Sequence, residues 1–178
     1  MPVPEPATRR RAWRSDGVVE LYIDAPVAEV YAAVTDVTTV GVRSRECHSA
    51  TWLAGREPGT VGARFRGRNR SGLARWSRVC EVTEAVPGRS FVFRTVPERL
   101  DPSRRDSTTW SYTFTPEGEG VHVRHAYRIT RMPLRPFRVL YGWLLPQHRD
   151  MRPPMAETLT ALKREVEGDF PAPAHPLS

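Results

Sequence analysis

The stretch 110–127, "WSYTFTPEGEGVHVRHAY", decides the reading of the chain. Trp110, Tyr112 and Phe114 occupy alternate positions, the alternation breaks at Pro-Glu-Gly-Glu-Gly, and it resumes with Val121, Val123, His125 and Tyr127. Side chains on a strand alternate between faces, so each run lays its bulky members on one side. The turn residues between them predict a β-hairpin. One face of that hairpin carries two tyrosines, a tryptophan, a phenylalanine and a histidine. Tyr, Trp and His have polar tips that need partners when buried, so such a face is either an unusual core or the wall of a pocket.

The rest of the chain supplies partners for this hairpin. "GVVELYIDAP" alternates Val19, Leu21 and Ile23 inward and predicts a first strand. Asp24 is then expected to cap, and Pro26 to open, a short helix in which Val27, Val30, Tyr31 and Val34 recur at helical spacing. A second short helix or loop is expected from about Val37 to Arg45. From His48 onward six strand-like runs follow, "HSATWLAG", "GARFRGRNRSG", "ARWSRVCEVTEA", "RSFVFRTV", "TTWSYTFTP" and "VHVRHAYRIT". They are short and amphipathic, which predicts an antiparallel sheet with one wet face. "LRPFRVLYGWLLP" then reads as a short helix. "DMRPPMAETLTALKREVEG" reads as a longer one, with Met155, Leu159, Leu162 and Val166 on one face and Asp150 as its cap. Pro153 and Pro154 are tolerable only near its start or at a kink. Residues 1–16 and 169–178 are expected to be flexible tails around a single domain over 17–168. The class is α+β, with a curved seven-stranded antiparallel sheet gripping the long C-terminal helix. A curved sheet leaves space beneath that helix, where an inward aromatic face lines a cavity.

Composition narrows the function. The chain has 178 residues and a formal net charge of +7. Of its 27 basic residues only Lys163 is a lysine, and the arginines are spread along the chain. The local stripe Arg64, Arg66, Arg68 and Arg70 lies opposite Phe65, Gly67 and Asn69, as a solvated strand face would. Specific nucleic-acid binding is therefore not expected. "MPVPEPATRRRAW" has arginines but no apolar segment after them, and no run is long enough to span a bilayer. The expectation is a soluble, cytoplasmic protein. Cys47 and Cys80 lack metal-ligand spacing and read as free thiols. Phosphate-cradling loops, dinucleotide turns, nucleophile elbows and paired metal motifs are not found, so neither cofactor nor metal is expected.

Four pieces of sequence, in order, resemble the START-like superfamily. This is the helix-grip, or SRPBCC, fold of polyketide cyclase/dehydrase and lipid-transport proteins. "VVELYIDAPVAEVYAAVTD" resembles the family's opening strand and helix. "FRGRNRSGLARWSRVCEVTEAVPGRSFVF" resembles its central strands through Phe65, Gly67, Asn69, Gly72, Trp76, Val82, Pro87, Phe91 and Phe93. "TTWSYTFTPEGEGVHVRHAYRI" resembles its hairpin, and "TLTALKREVEG" its closing helix. The resemblance covers roughly 17–167 and implies a deep apolar cavity between sheet and last helix. Its members include lipid, sterol and hormone carriers as well as polyketide aromatase/cyclases. Where relatives often carry Glu or Thr in the last strand, this chain has His125.

The expected ligand is therefore a hydrophobic molecule, aromatic or polycyclic, lipid- or polyketide-like. Its expected contacts are Asn69, Trp76, Arg78, Phe91, Phe93, Trp110, Tyr112, His125 and Tyr127 from the sheet, with Met155 and Leu159 from the helix. His125 and Arg78 are the candidate catalytic groups of the alternative, a cyclase catalysing aldol closure and dehydration. A histidine that titrates near neutrality could move a proton, but no acid sits in register to orient His125, which favours a buried neutral ring bonded to a neighbour such as Tyr112 or Tyr127. Arg78 either anchors an anionic oxygen in the pocket, turns outward at a bulge, or reaches water at the mouth. Asn69 binds ligand or ties down backbone, and Cys80 fills core. The segment 134–145 is either a lid or a helix resting on an anionic membrane, the latter marking a peripheral lipid-transfer protein.

Overall fold

The computed structural model describes residues 13–98 and 100–168. Seven strands run β1 (Asp16–Ile23), β2 (Cys47–Trp52), β3 (Arg64–Ser71), β4 (Ala74–Val86), β5 (Ser90–Thr95), β6 (Ser107–Glu117) and β7 (Gly120–Arg131). They form one antiparallel sheet in the order β1-β7-β6-β5-β4-β3-β2. Hence β1 and β2 are the two edges, and the chain crosses between them through α1 (Val27–Thr35), a 3-10 turn at Val37–Thr39 and α2 (Val40–Arg43). After β7 come α3 (Arg135–Leu144), a 3-10 turn at Pro146–Arg149 and α4 (Arg152–Val166). This is the expected helix grip, with α4 packed against β1, α1 and α2.

The hairpin of the opening stretch is tighter than its sequence implies. β6 continues through Pro116 to Glu117, and Glu117 pairs with Gly120, so the turn is only Gly118-Glu119. Gly118 has φ 60, the positive value that a two-residue hairpin turn needs at its first position. Pairing then sets Phe114 opposite Val123, Tyr112 opposite His125 and Trp110 opposite Tyr127. Register shifts at Val82/Glu84 in β4 and Ser107/Thr108 in β6 add local twist, and with it curvature.

Two caps differ from expectation. Asp24 does not cap α1; Pro26 holds the cap position with no side-chain bond, and its carbonyl accepts the Glu29 and Val30 amides. Asp24 instead donates its backbone N–H to Glu167 Oε1 at 2.7 Å, while Lys163 Nζ reaches the Tyr22 carbonyl at 3.1 Å. The end of α4 is thereby tied to the end of β1. Asp150 does accept the Arg152 amide at 3.2 Å, but from the position before the cap residue Met151. Pro153 and Pro154 fall in the first turn, where their missing N–H groups would have no helical partner.

The core occupies one end of the sheet. Ile23, Val30, Val82, Phe91, Phe114, Val121, Val123, Leu159 and Leu162 are buried together near the β4–β5 and β6–β7 turns. Toward the other end the inward positions become Asn69, Trp76, Trp110, Tyr112 and His125. The expected tails fall largely outside the described residues, but from Trp13 the chain is seated on the domain, with Arg14 N–H donating to the Arg149 carbonyl at 2.8 Å.

Gly41 lets α2 approach β2: a Cβ there would stand 2.2 Å from the His48 carbonyl oxygen. Gly41→Ala must push α2 off the sheet, and overpacking of this kind costs about 1–3 kcal/mol. A lower urea midpoint with unchanged m value is the expected result.

Candidate functional site

The space between the half-filled sheet, α2, α3 and α4 is a cavity of about 500 Å³. That lies within the roughly 300–1,000 Å³ of ligand sites. Asn69, Trp76, Arg78, Phe93, Trp110, Tyr112, His125 and Met155 all line it. Phe91, Tyr127 and Leu159 do not. Phe91 and Leu159 are core residues, 0% and 1% exposed. Tyr127 packs against Gly17, its Cε1 only 2.6 Å from where a Cβ would stand, and its hydroxyl points to the Arg14 carbonyl at 3.4 Å. Likewise Phe114, on the same face as Trp110, sits edge-on to Tyr31 in the core. The opening stretch is thus core at its turn and cavity wall at its open end.

His125 is held as a ring in a stack. It lies on Tyr112 with centroids 3.9 Å apart and planes at 11°, and its other aromatic neighbour is Trp110 at 5.9 Å. Its hydrogen bond goes not to Tyr112 or Tyr127 but to the Ser111 carbonyl, 3.2 Å from Nδ1. A carbonyl only accepts, so Nδ1 carries the proton and Nε2 keeps a bare lone pair. Burial lowers the His125 pKa to about 4, against a smaller opposing effect of the Ser111 bond. The ring is neutral at neutral pH. Burial also pushes the Tyr112 hydroxyl up to about 12. Together they offer hydrogen bonding without charge.

Arg78 points inward by unbroken pairing with Gly67, the register shift coming only after Val82. Its guanidinium is already engaged: Nη1 donates to Asp106 Oδ1 at 2.7 Å and Nη2 to the Asp106 carbonyl at 2.9 Å. The positive charge is neutralised inside the cavity wall, and the Nε–H is buried without a partner. Cys47 and Cys80 also line the cavity, and burial raises their thiols to about 11 and about 12. Neither is a thiolate nucleophile. Arg64, Arg66, Arg68 and Arg70 all point to solvent.

Two lining features have no signal in the sequence. Arg43, in the four-residue α2, is buried and donates to the Ala33 carbonyl at 2.6 Å and Thr39 Oγ1 at 2.7 Å, with Nε 3.5 Å from Glu165. Glu46 meets His148, Nε2 lying 2.9 Å from each carboxylate oxygen, and the imidazole stands edge-on to Trp76 at 5.8 Å. These partners are separated by 102 positions in the chain, so only the tertiary fold joins them. At the mouth, α3 contributes Tyr141 and the half-exposed Leu144 to the lining, and the Tyr141 hydroxyl donates to the Ser103 carbonyl at 2.9 Å. Its outer surface leaves Val139 and Trp143 exposed. The helix therefore covers the mouth and also presents an apolar exterior. Among the described residues no His, Cys, Asp and Glu side chains cluster as a metal site, and no helix is long and apolar enough to cross a membrane.

The profile of a family described as polyketide cyclase / dehydrase and lipid transport matches residues 16–167. Among solved structures, a polyketide cyclase-like protein of Corynebacterium glutamicum is 27% identical, with a TM-score of 0.57, covering 91% of this chain and 97% of that one. The di-domain ARO/CYC StfQ of the steffimycin biosynthetic pathway is 16% identical with a TM-score of 0.66, over 87% of this chain and 51% of that one. Ara h 8.0201 is 10% identical with a TM-score of 0.61, over 86% and 97%. No curated protein matches the sequence.

The depressed pKa of His125 has a consequence for stability. Between about 4 in the folded chain and about 6.5 when unfolded, the unfolded state binds more protons. Stability is therefore full above about pH 6.5 and falls as pH drops toward 4, by on the order of 3 kcal/mol. Urea unfolding across this range should show the loss, and His125→Gln should remove most of it.

Proposed function

We propose a function for a chain that belongs to the polyketide cyclase / dehydrase and lipid transport family: it binds an uncharged hydrophobic molecule, aromatic or polycyclic, between sheet and α4. The observation that carries this reading is the cavity of about 500 Å³ walled by Trp76, Phe93, Trp110 and Tyr112. Flat rings stack well against such walls. Inside the wall Arg78 is paired with Asp106 and Glu46 with His148, so a charged ligand reaching them would compete with existing pairs; Arg75 stands at the mouth. His125 Nε2 is suited to accept a hydrogen bond from a phenolic hydroxyl. Native mass spectrometry of protein purified from its own host should find a co-purified small molecule. In titrations followed by tryptophan fluorescence, 2-naphthol should bind, and Trp110→Ala should weaken it about tenfold with little loss of stability. If Trp110→Ala instead unfolds the protein, the wall is a packed core and the reading fails.

A second reading, a cyclase, is favoured by one observation, the Glu46–His148 pair. Glu46 accepts from His148 Nε2, which leaves Nδ1 as the basic nitrogen of a carboxylate-oriented imidazole. Such a base takes a proton from the carbon beside a ketone. The resulting enolate carbon bonds to a second carbonyl carbon of the same chain, and that oxygen recovers the proton, so no co-reactant is needed. Arg78 and His125, the groups expected for this role, are occupied by Asp106 and held neutral. Proton transfer by a positioned side chain contributes about 10²–10⁴-fold. Deuterium uptake into the methyl group of 2-acetylnaphthalene, followed by NMR, measures it. The carrier reading expects no uptake above buffer. Acceleration that disappears in His148→Gln while the ketone still binds would make the protein an enzyme.

A further inference from the structure

The antiparallel order gives the sheet two unlike ends. One carries the β4–β5 and β6–β7 turns and the core. The other gathers the β3–β4 turn, the β5–β6 connection and the exit of β7 into α3. The cavity opens at this second end, where Ala74, Arg75, Ser103, Arg104, Tyr141 and Leu144 line it. The four most exposed large apolar side chains among the described residues stand at the same end. They are Leu73 at 101% and Leu100 at 99%, each on a loop, and Trp143 at 75% and Val139 at 72% on α3.

Charge is sorted in the same way. From Arg131 to Arg149 the chain has four arginines and no acidic residue. Arg75, Arg131, Arg135 and Arg138 form no ion pair among the described residues. The acids nearby are taken: Asp106 by Arg78, Glu98 and Asp101 by Arg104, and Glu46 by His148. A rim of unmatched cations around protruding leucine, valine and tryptophan side chains fits one environment. Anionic headgroups meet the arginines while the apolar tips enter the boundary between headgroups and acyl chains. A protein partner would instead need a continuous groove or plate, and these tips stand singly on three separate elements.

We propose that this end of the molecule, comprising the Leu73 turn, the Leu100 loop and the outer surface of α3, docks on an anionic lipid bilayer. The cavity mouth lies inside that footprint. Read together with the proposed binding of an apolar ligand, docking lets the ligand pass between bilayer and cavity without crossing water. The docking itself depends only on the surface.

Co-sedimentation with vesicles tests it, using phosphatidylcholine alone and phosphatidylcholine mixed with phosphatidylglycerol. The protein should bind the mixed vesicles, less at high salt, and scarcely bind phosphatidylcholine. Leu73→Ser with Leu100→Ser, and separately Val139→Ser with Trp143→Ser, should each weaken binding about tenfold or more. Arg135→Gln with Arg138→Gln should weaken it about tenfold as well, since cations near an anionic surface are attracted to it. None of the six side chains lines the cavity, and 2-naphthol titration of each variant should match the wild type. Absence of binding to the mixed vesicles overturns the proposal, as does binding that both apolar pairs leave unchanged. Failure to bind vesicles with tight binding to polyglutamate assigns the surface to an acidic protein and also overturns it. Loss of vesicle binding with 2-naphthol still bound refutes docking alone; wild type that binds vesicles but not 2-naphthol refutes the cavity reading alone.

Discussion

The register of β6 on β7 is the constraint on which the rest of the molecule depends. Sliding one strand by one residue would turn every side chain to the opposite face. Trp110, Tyr112 and Phe114 would then face water, and Thr109, Ser111 and Thr113 would face α4. The two-residue turn at Gly118 prevents this by fixing Glu117 against Gly120. From that pair the ladder runs outward, seating β1 on one side of the hairpin and β5 on the other. The His125 stack, its bond to Ser111 and the division between core and cavity all follow from this alignment.

A cavity inside a small domain removes contacts that would otherwise stabilise it. The chain offsets that loss by concentrating close packing at the turn end. It also ties the open end with polar links that span long sequence distances. Arg78 joins β4 to the segment before β6 through Asp106, Glu46 joins the entry of β2 to the turn before α4 through His148, and Tyr141 joins α3 to the Ser103 loop. Each link engages a charged or hydroxyl group within the wall, although the Arg78 Nε–H is left without a partner. The interior surface left to a ligand is consequently mostly apolar, although charged residues stand among its lining.

Much of this was legible in the sequence, for identifiable reasons. Alternation and helical spacing report which face of an element is apolar, so the seven strands, the long helix and the inward aromatic positions could be read directly. Depth along a strand is a different matter. Phe91 and Phe93 share a face and a chemistry, yet the first is buried in the core and the second lines the cavity, because only their distance from the turn end differs. Tyr127 has the right parity but meets Gly17, whose lack of a side chain leaves room for its ring. Arg78 was visible as an inward arginine, whereas its partner Asp106 lies in a loop with no periodicity. Arg43, Glu46 and His148 belong to short irregular segments whose meeting depends on how three elements converge.

Placing the core and the cavity at opposite ends of the same strands also separates two kinds of mutational cost. At Ile23, Val82 or Phe91 a smaller side chain opens a void among close neighbours, and the fold loses stability for it. At Trp76, Phe93 or Trp110 one side of the ring already faces open space, so changes of size or shape mainly reshape the container. Such a chain can exchange one bound molecule for another through wall substitutions while its folding remains anchored at the far end. One scaffold can in this way diversify its contents without first having to become more stable.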